Sequence, residues 1–297
     1  MRFNITGSLF SLILIIFVFG SYVIVAQTAV TGDWTASTKT EKSDKIQLNL
    51  ERRSENGRNQ HGSSFSYSDL EGLSPAQTQN GRVNFRLVRE AGTVDFDGTF
   101  VNGKGSGTFR FTPNMGFADA MRTRGFDFGA ANSKKQGNLE DRLFTAAMVN
   151  VTTALADDLL SANFGKLDVD DLFKAAIFKV DGRFMAEMKA TGFPNMGMEE
   201  LVKARIFKID ADYVRQVKDM GFAGNDFEGL VKFRIFKVTP EFLNEIKAEG
   251  FSNLSPEEVV KFRIFKIDPE FIRAAKAEEP DITVEGLVQR KIGVRRR

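Results

Sequence analysis

VTPEFLNEIKAEGFSNLSPEEVVKFRIFK, the 29 residues from Val238 to Lys266, decides the fold, because it reads as two helices with their own start and stop signals. Thr239 is placed to cap the first helix, Pro240 suits its first turn and Glu241 complements its dipole. Phe242, Leu243 and Ile246 mark a buried stripe. Gly250 supplies the left-handed residue that ends the helix, and Phe251 folds back on it. Ser255-Pro256-Glu257-Glu258 then forms a capping box for a second helix through Val259, Val260, Ile264 and Phe265, which has so little polar relief that it should be central. Ile267 leads straight to the next cap, Asp268-Pro269, so the units follow one another without a linker.

The same unit recurs. Ile177-Phe178-Lys179, Ile206-Phe207-Lys208, Ile235-Phe236-Lys237 and Ile264-Phe265-Lys266 are spaced by 29 residues, as are Gly192-Phe193, Gly221-Phe222 and Gly250-Phe251 and the lysines Lys189, Lys218, Lys247 and Lys276. A fixed period of this length is the signature of a helical solenoid. Working back, Asn163 stands where later units have the helix-ending Gly, an exchange the left-handed backbone tolerates. Thr112-Pro113 with Phe117, Met121 and Gly125-Phe126 matches once more, with about nine extra residues around Ser133 to Gly137. At the far end Glu279-Pro280 replaces Gly-Phe and the unit is one residue short. Residues 112–297 are therefore expected to form six repeats, the first and last atypical.

Upstream the period changes to two. Ile46, Leu48 and Leu50 alternate with Gln47 and Asn49; Val83, Phe85 and Leu87 alternate with Asn84 and Arg86. Val94, Phe96 and Phe100 line one face before an Asn102-Gly103 hairpin turn into Phe109 and Phe111. With Trp34 to Thr38 and Phe65 to Tyr67 this gives about six antiparallel strands over residues 27–111, with a capped helical turn at Ser74-Pro75-Ala76-Gln77. The fold class is thus α+β: a small antiparallel sandwich or open barrel, then an α-solenoid. Gly103, Gly105 and Gly107 lie between strands and open no helix, so they read as turn geometry rather than a phosphate loop. Asp95 and Asp97 share an outward strand face, where solvation accounts for them better than a cation.

Met1 to Ala26 reads as a secretory signal, with Arg2, an apolar run from Leu9 to Phe19 and cleavage after Ala26. An uncleaved membrane tether is the alternative, since the apolar stretch extends through Val25; after cleavage no stable span is expected. The 297 residues contain no Cys and a single His, His61, which excludes disulfides, thiolate nucleophiles, Cys-ligated metals and most His-based catalysis. Export without cysteine fits a bacterial periplasm or exterior. With 41 basic and 39 acidic residues the net charge is +2, so nothing global points to nucleic acid.

Candidate binding residues come from ladders in the repeats. Lys203, Lys232 and Lys261 with Arg205, Arg234 and Arg263 form a candidate basic stripe on the second helices. Residues 181–266 nevertheless hold fourteen basic and fourteen acidic residues, and Glu199, Glu200, Glu228, Glu257 and Glu258 sit where they can pair at i,i+4 spacing. The Phe columns at Phe207, Phe236 and Phe265 read as core. The position held by Ala175, Ala204, Phe233 and Phe262 switches from small to large; Phe233 and Phe262 are either inter-repeat packing or an exposed apolar patch for a partner. The tail Arg290, Lys291 and Arg295 to Arg297 reads as a charged terminus that could dock on an anionic surface.

Thr239-Pro240-Glu241-Phe242, Gly250-Phe251 and Lys261-Phe262-Arg263-Ile264 resemble helical repeats found beside bacterial sensor metallopeptidases of the β-lactam-sensing type and in stand-alone exported proteins. The resemblance covers about 180 residues and implies an accessory or sensing module. It carries over no catalytic residue, since the peptidase's His-Glu-x-x-His needs two histidines. The expected function is a non-catalytic, exported interaction or scaffold module that needs no metal or cofactor and binds a protein or peptide through the array. The alternative is a small-molecule or glycan site in the β domain, lined by Trp34, Phe65 and Phe85.

Overall fold

The computed structural model describes residues 30–38, 44–54, 57–130, 137–163, 165–222 and 226–293. The expected signal segment, Ser133 to Gln136 and Arg295 to Arg297 lie outside them.

Seven strands form one antiparallel sheet: β1 (Val30–Ser37), β2 (Lys45–Ser54), β3 (Gly57–Ser66), β4 (Leu70–Glu71), β5 (Asn80–Arg89), β6 (Gly92–Val101) and β7 (Lys104–Pro113). Their order is β3-β2-β1-β7-β6-β5-β4, a meander closed across its middle by the β1–β7 pair. The sheet curls into a half-barrel, so of the two expected architectures it is the open barrel, not the sandwich. Six strands lie where the alternation places them; the seventh is the two-residue β4. The edge strand β3 is longer than its apolar signal, because His61 and Ser63 take the inward positions beside Phe65.

Curvature is made by glycine beneath aromatic rings. Across the middle of the sheet Trp34 pairs with Gly107, and Gly107 with Gly98. A Cβ on Gly98 would lie 2.5 Å from the Trp34 ring and one on Gly105 2.8 Å from it. Trp34 is thereby buried, edge-on to Phe85 at 5.4 Å and to Phe96 at 6.2 Å. Only Gly103, with Asn102, has the positive φ of the hairpin turn. The expectation of turn geometry for Gly105 and Gly107 is therefore corrected: both are strand residues, Gly105 making room for the Trp34 and Phe100 rings and Gly107 for the close approach of the Asp97 and Gly98 backbone.

Twelve helices follow among the described residues, in pairs: α1 (Met115–Thr123) with α2 (Leu139–Val149), α3 (Thr153–Ser161) with α4 (Val169–Phe178), α5 (Gly182–Ala190) with α6 (Met198–Phe207), α7 (Ala211–Asp219) with α8 (Phe227–Ile235), α9 (Pro240–Ala248) with α10 (Pro256–Ile264), and α11 (Pro269–Glu278) with α12 (Val284–Lys291). Thr239, Ser255 and Asp268 cap as expected, each accepting a backbone N–H three residues on. First helices end on Gly125, Asn163, Gly192, Gly221 and Gly250, all at positive φ, with Asn163 at 51°. The second helices contact one another in sequence from α2 to α12, and α1, α3 and α5 form a neighbouring row.

The helical segment does not begin where its core begins. Helix α2 lies on the concave face of the sheet, in contact with β1, β6 and β7. Phe144 stacks on Phe109 at 5.6 Å and meets Phe111 and His61 edge-on at 5.4 and 5.3 Å. Burying such a ring stabilises by roughly 1.5–3 kcal/mol. Arg52 pairs with Asp141, and the Thr153 backbone N–H donates to Glu90 at 2.9 Å. The first unit thus serves both as a repeat and as the cover of the half-barrel.

Candidate interaction surface

The sequence-derived candidates lie mostly inside the array. Phe233 and Phe262 have no exposed area, so neither forms a surface patch. Their rings face the Gly-Phe stop of their own unit, Phe233 edge-on to Phe222 at 5.1 Å and Phe262 to Phe251 at 5.5 Å. Where the position is Ala204, the equivalent Phe193 turns instead to Phe227 of the next unit at 6.0 Å. The small-to-large switch is a change in packing partner.

The basic candidates are structural as well. Arg205, Arg234 and Arg263 stack over the aromatic ring of the first helix in their own unit: Phe184 at 3.8 Å, Tyr213 at 3.6 Å and Phe242 at 4.7 Å. The Arg234 guanidinium donates to the Lys208 carbonyl at 2.7 Å, and Arg263 Nε to the Phe236 carbonyl at 2.8 Å. Each therefore closes the C-terminus of the preceding second helix, where carbonyls lack partners. Lys218 and Lys276 do the same on the first helices, reaching the Thr191 and Glu249 carbonyls at 3.0 and 2.6 Å.

Lys203 and Lys261 are paired, but not within their own helix. Lys203 meets Glu228 of the next unit at 2.7 Å, Lys174 meets Glu199 at 2.6 Å, and Lys261 meets Glu285 at 3.5 Å. The i,i+4 expectation is replaced by a ladder running between units. The Glu199 and Glu228 carboxylates hold Lys174 and Lys203 above the ordinary lysine pKa. Lys232 holds the same exposed position in α8. In the tail, Arg290 pairs with Glu278, and Lys291 lies 4.2 Å over Phe271.

What the structure exposes is the first residue of the repeated Ile-Phe-Lys. Ile177, Ile206, Ile235, Ile264 and Ile292 are between 47% and 53% exposed, one at the end of each second helix from α4 to α12. The Phe beside each of the first four is half-buried against the core, so the Phe column is not fully interior as expected. The clue lies in helix spacing: Glu199, Lys203 and Ile206 stand at i, i+4 and i+7, which puts the isoleucine on the same stripe as two exposed charges. In the first four of these units the residue two positions on is an exposed lysine, Lys179, Lys208, Lys237 and Lys266. All four have left-handed backbone, with φ between 52° and 59°.

Elsewhere, a groove of about 740 Å³ runs between α7 and α9, lined by Asp212, Tyr213, Arg215, Arg234 and Leu243 among others. Its walls carry both signs of charge. The Tyr213 hydroxyl and Arg234 Nε are buried there without a hydrogen-bond partner. On the convex face of the sheet Asp97 pairs with Arg82 at 3.1 Å. Among the described residues no three His, Cys, Asp or Glu side chains come together as metal ligands, and no single helix is long and apolar enough to cross a membrane. No family, characterised protein or solved structure matches this chain.

Proposed function

We propose that the protein is an exported, non-catalytic interaction module whose helical array binds a protein or peptide along the exposed isoleucine column. The observation that carries this reading is the repetition. Single exposed apolar side chains are ordinary on protein surfaces, but five at one structural position in successive units form a regularly spaced apolar column. Solenoids present ligands with surfaces of this kind. Export rests on the basic start and apolar run of residues 1–26. An accessory or sensing role follows the likeness of the repeats to those beside sensor metallopeptidases. A ligand site lined by Trp34, Phe65 and Phe85 is less favoured, because all three rings are buried in the core of the half-barrel.

A photo-cross-linking amino acid at position 206 or 235, compared with position 160, tests the reading in the native cell envelope. Leu160 is exposed to 42% but lies off the column. Discrete adducts from 206 and 235, absent from 160, are expected. Equal labelling from all three positions overturns the proposal.

A further inference from the structure

We infer that the isoleucine column takes one kind of occupant: an extended, acidic peptide in polyproline II conformation with an apolar side chain at every third residue. The inference rests on the interaction reading above and adds the shape and charge of the partner.

Charge comes from the lysines beside the column. A left-handed position at a helix end favours Gly or Asn, yet four successive units place Lys there. Lys179, Lys208, Lys237 and Lys266 make no ion pair among the described residues, whereas the neighbouring Lys174, Lys203 and Lys261 all do. The acids that follow closely, Asp181, Asp210 and Asp268, are engaged as N-caps of the next helix. Backbone geometry alone does not account for these lysines. The first unit has the same left-handed residue, at φ 60°, but it is Asn150. In that unit the isoleucine position is held by Met148, which is buried. Lysine thus accompanies the exposed isoleucine in four successive units and is absent from the first unit, where the isoleucine is replaced by a buried Met148; in the last unit Ile292 is followed by Gly293 and Val294.

Shape comes from the step. Packed helices stand about 8–10 Å apart, so successive isoleucines recur at about that interval. A polyproline II chain has three residues per turn and rises about 3.1 Å per residue, so every third side chain returns to the same face after about 9.3 Å. A β-strand returns to one face after two residues, about 6.7 Å, and an α-helix after about 5.4 Å. An α-helix also presents one face every seven residues, but at about 10.5 Å, so the polyproline II repeat of about 9.3 Å is the one that falls within the helix-packing interval. Five rungs span four steps, about 37 Å, so about 13 residues fill the column.

The test uses the full chain and fluorescein-labelled synthetic peptides in anisotropy titrations. Five Glu-Pro-Leu triplets are expected to bind at least tenfold more tightly than Glu-Leu alternation or Glu-Pro-Pro-Leu repeats of equal length. Binding should weaken as salt rises. Ile206→Ser with Ile235→Ser, and separately Lys208→Glu with Lys237→Glu, should each weaken it tenfold or more with circular dichroism unchanged. Equal affinity for the three spacings, equal affinity for Lys-Pro-Leu triplets, or indifference to both double substitutions overturns the inference. So does displacement of the peptide by phosphatidylglycerol vesicles at matched ionic strength, which would make the column a membrane-facing surface. If cross-linking from positions 206 and 235 succeeds while no triplet peptide binds, the interaction reading stands and this inference falls.

Discussion

Tyr213 stands where Phe184 and Phe242 stand one unit to either side, and its hydroxyl is the only chemical difference. Burial holds the phenol above its ordinary pKa, with nearby Arg234 pulling the other way, so the group stays neutral yet unpartnered. A buried polar group without a partner costs about 1–3 kcal/mol. Tyr213→Phe is therefore expected to stabilise the protein by about 1 kcal/mol in urea denaturation; a loss of stability would show that the hydroxyl has a partner in solution. His61 makes a second prediction. Burial first, then the charge of Arg52, holds its imidazole below the ordinary value of 6.5. The unfolded chain takes up a proton near pH 6.5 while the folded one stays neutral, so this stability is complete above that pH and is lost as pH falls toward the folded pKa. The groups around it are Arg52 on β2 and, on α2, Asp141 and the Phe144 ring. Between pH 8 and pH 5 the natural protein should lose more unfolding free energy than His61→Gln; equal losses would refute the assignment. At this scale the sequence shows which residues are unusual but not where they point. The switch from Ala204 to Phe233 is plain in the repeats, yet whether the ring faces solvent or Phe222 depends on the angle between two helices.

Helices and strands were more legible than side chains, because their boundaries are set by chemistry local to each end. Thr239-Pro240, Ser255-Pro256 and Asp268-Pro269 start helices, and Gly250 and Asn163 stop them. The edge strand β3 was not legible at full length, since its ladder is backbone hydrogen bonding and its inward His61 and Ser63 break the apolar alternation. Two phenylalanines three residues apart on α8 and its end separate packing from periodicity. Phe233 is fully buried and Phe236 only partly. Phe233→Ala should cost about 3–5 kcal/mol, and Phe236→Ala about 1–2 kcal/mol because less apolar area returns to water. Equal costs, measured by chemical denaturation, would contradict this placement.

For the whole molecule, the division near Thr112 follows a real change of period but does not divide the core. The apolar stripe of α2, Leu143, Phe144, Ala147 and Met148, suits a sheet as well as another helix, so its choice of surface could not be read from one segment. Because Phe144 packs on Phe109 and Phe111, Phe144→Ala should lower the unfolding midpoint seen by the fluorescence of the single tryptophan, Trp34, and also that seen by helical circular dichroism. A shift in the helical signal alone would mean that the half-barrel is stable without its helical cover.

The arginine and lysine hydrogen bonds to main-chain carbonyls of a neighbouring unit all run backward along the chain, unlike the lysine–glutamate pairs, which run forward. Arg234 reaches back to Lys208, Arg263 to Phe236, Lys218 to Thr191 and Lys276 to Glu249, each crossing 26 or 27 residues. During synthesis, each of these helix ends stays bare until its successor has left the ribosome. The array is completed from behind, and a translational pause within a unit leaves the preceding one with open carbonyls.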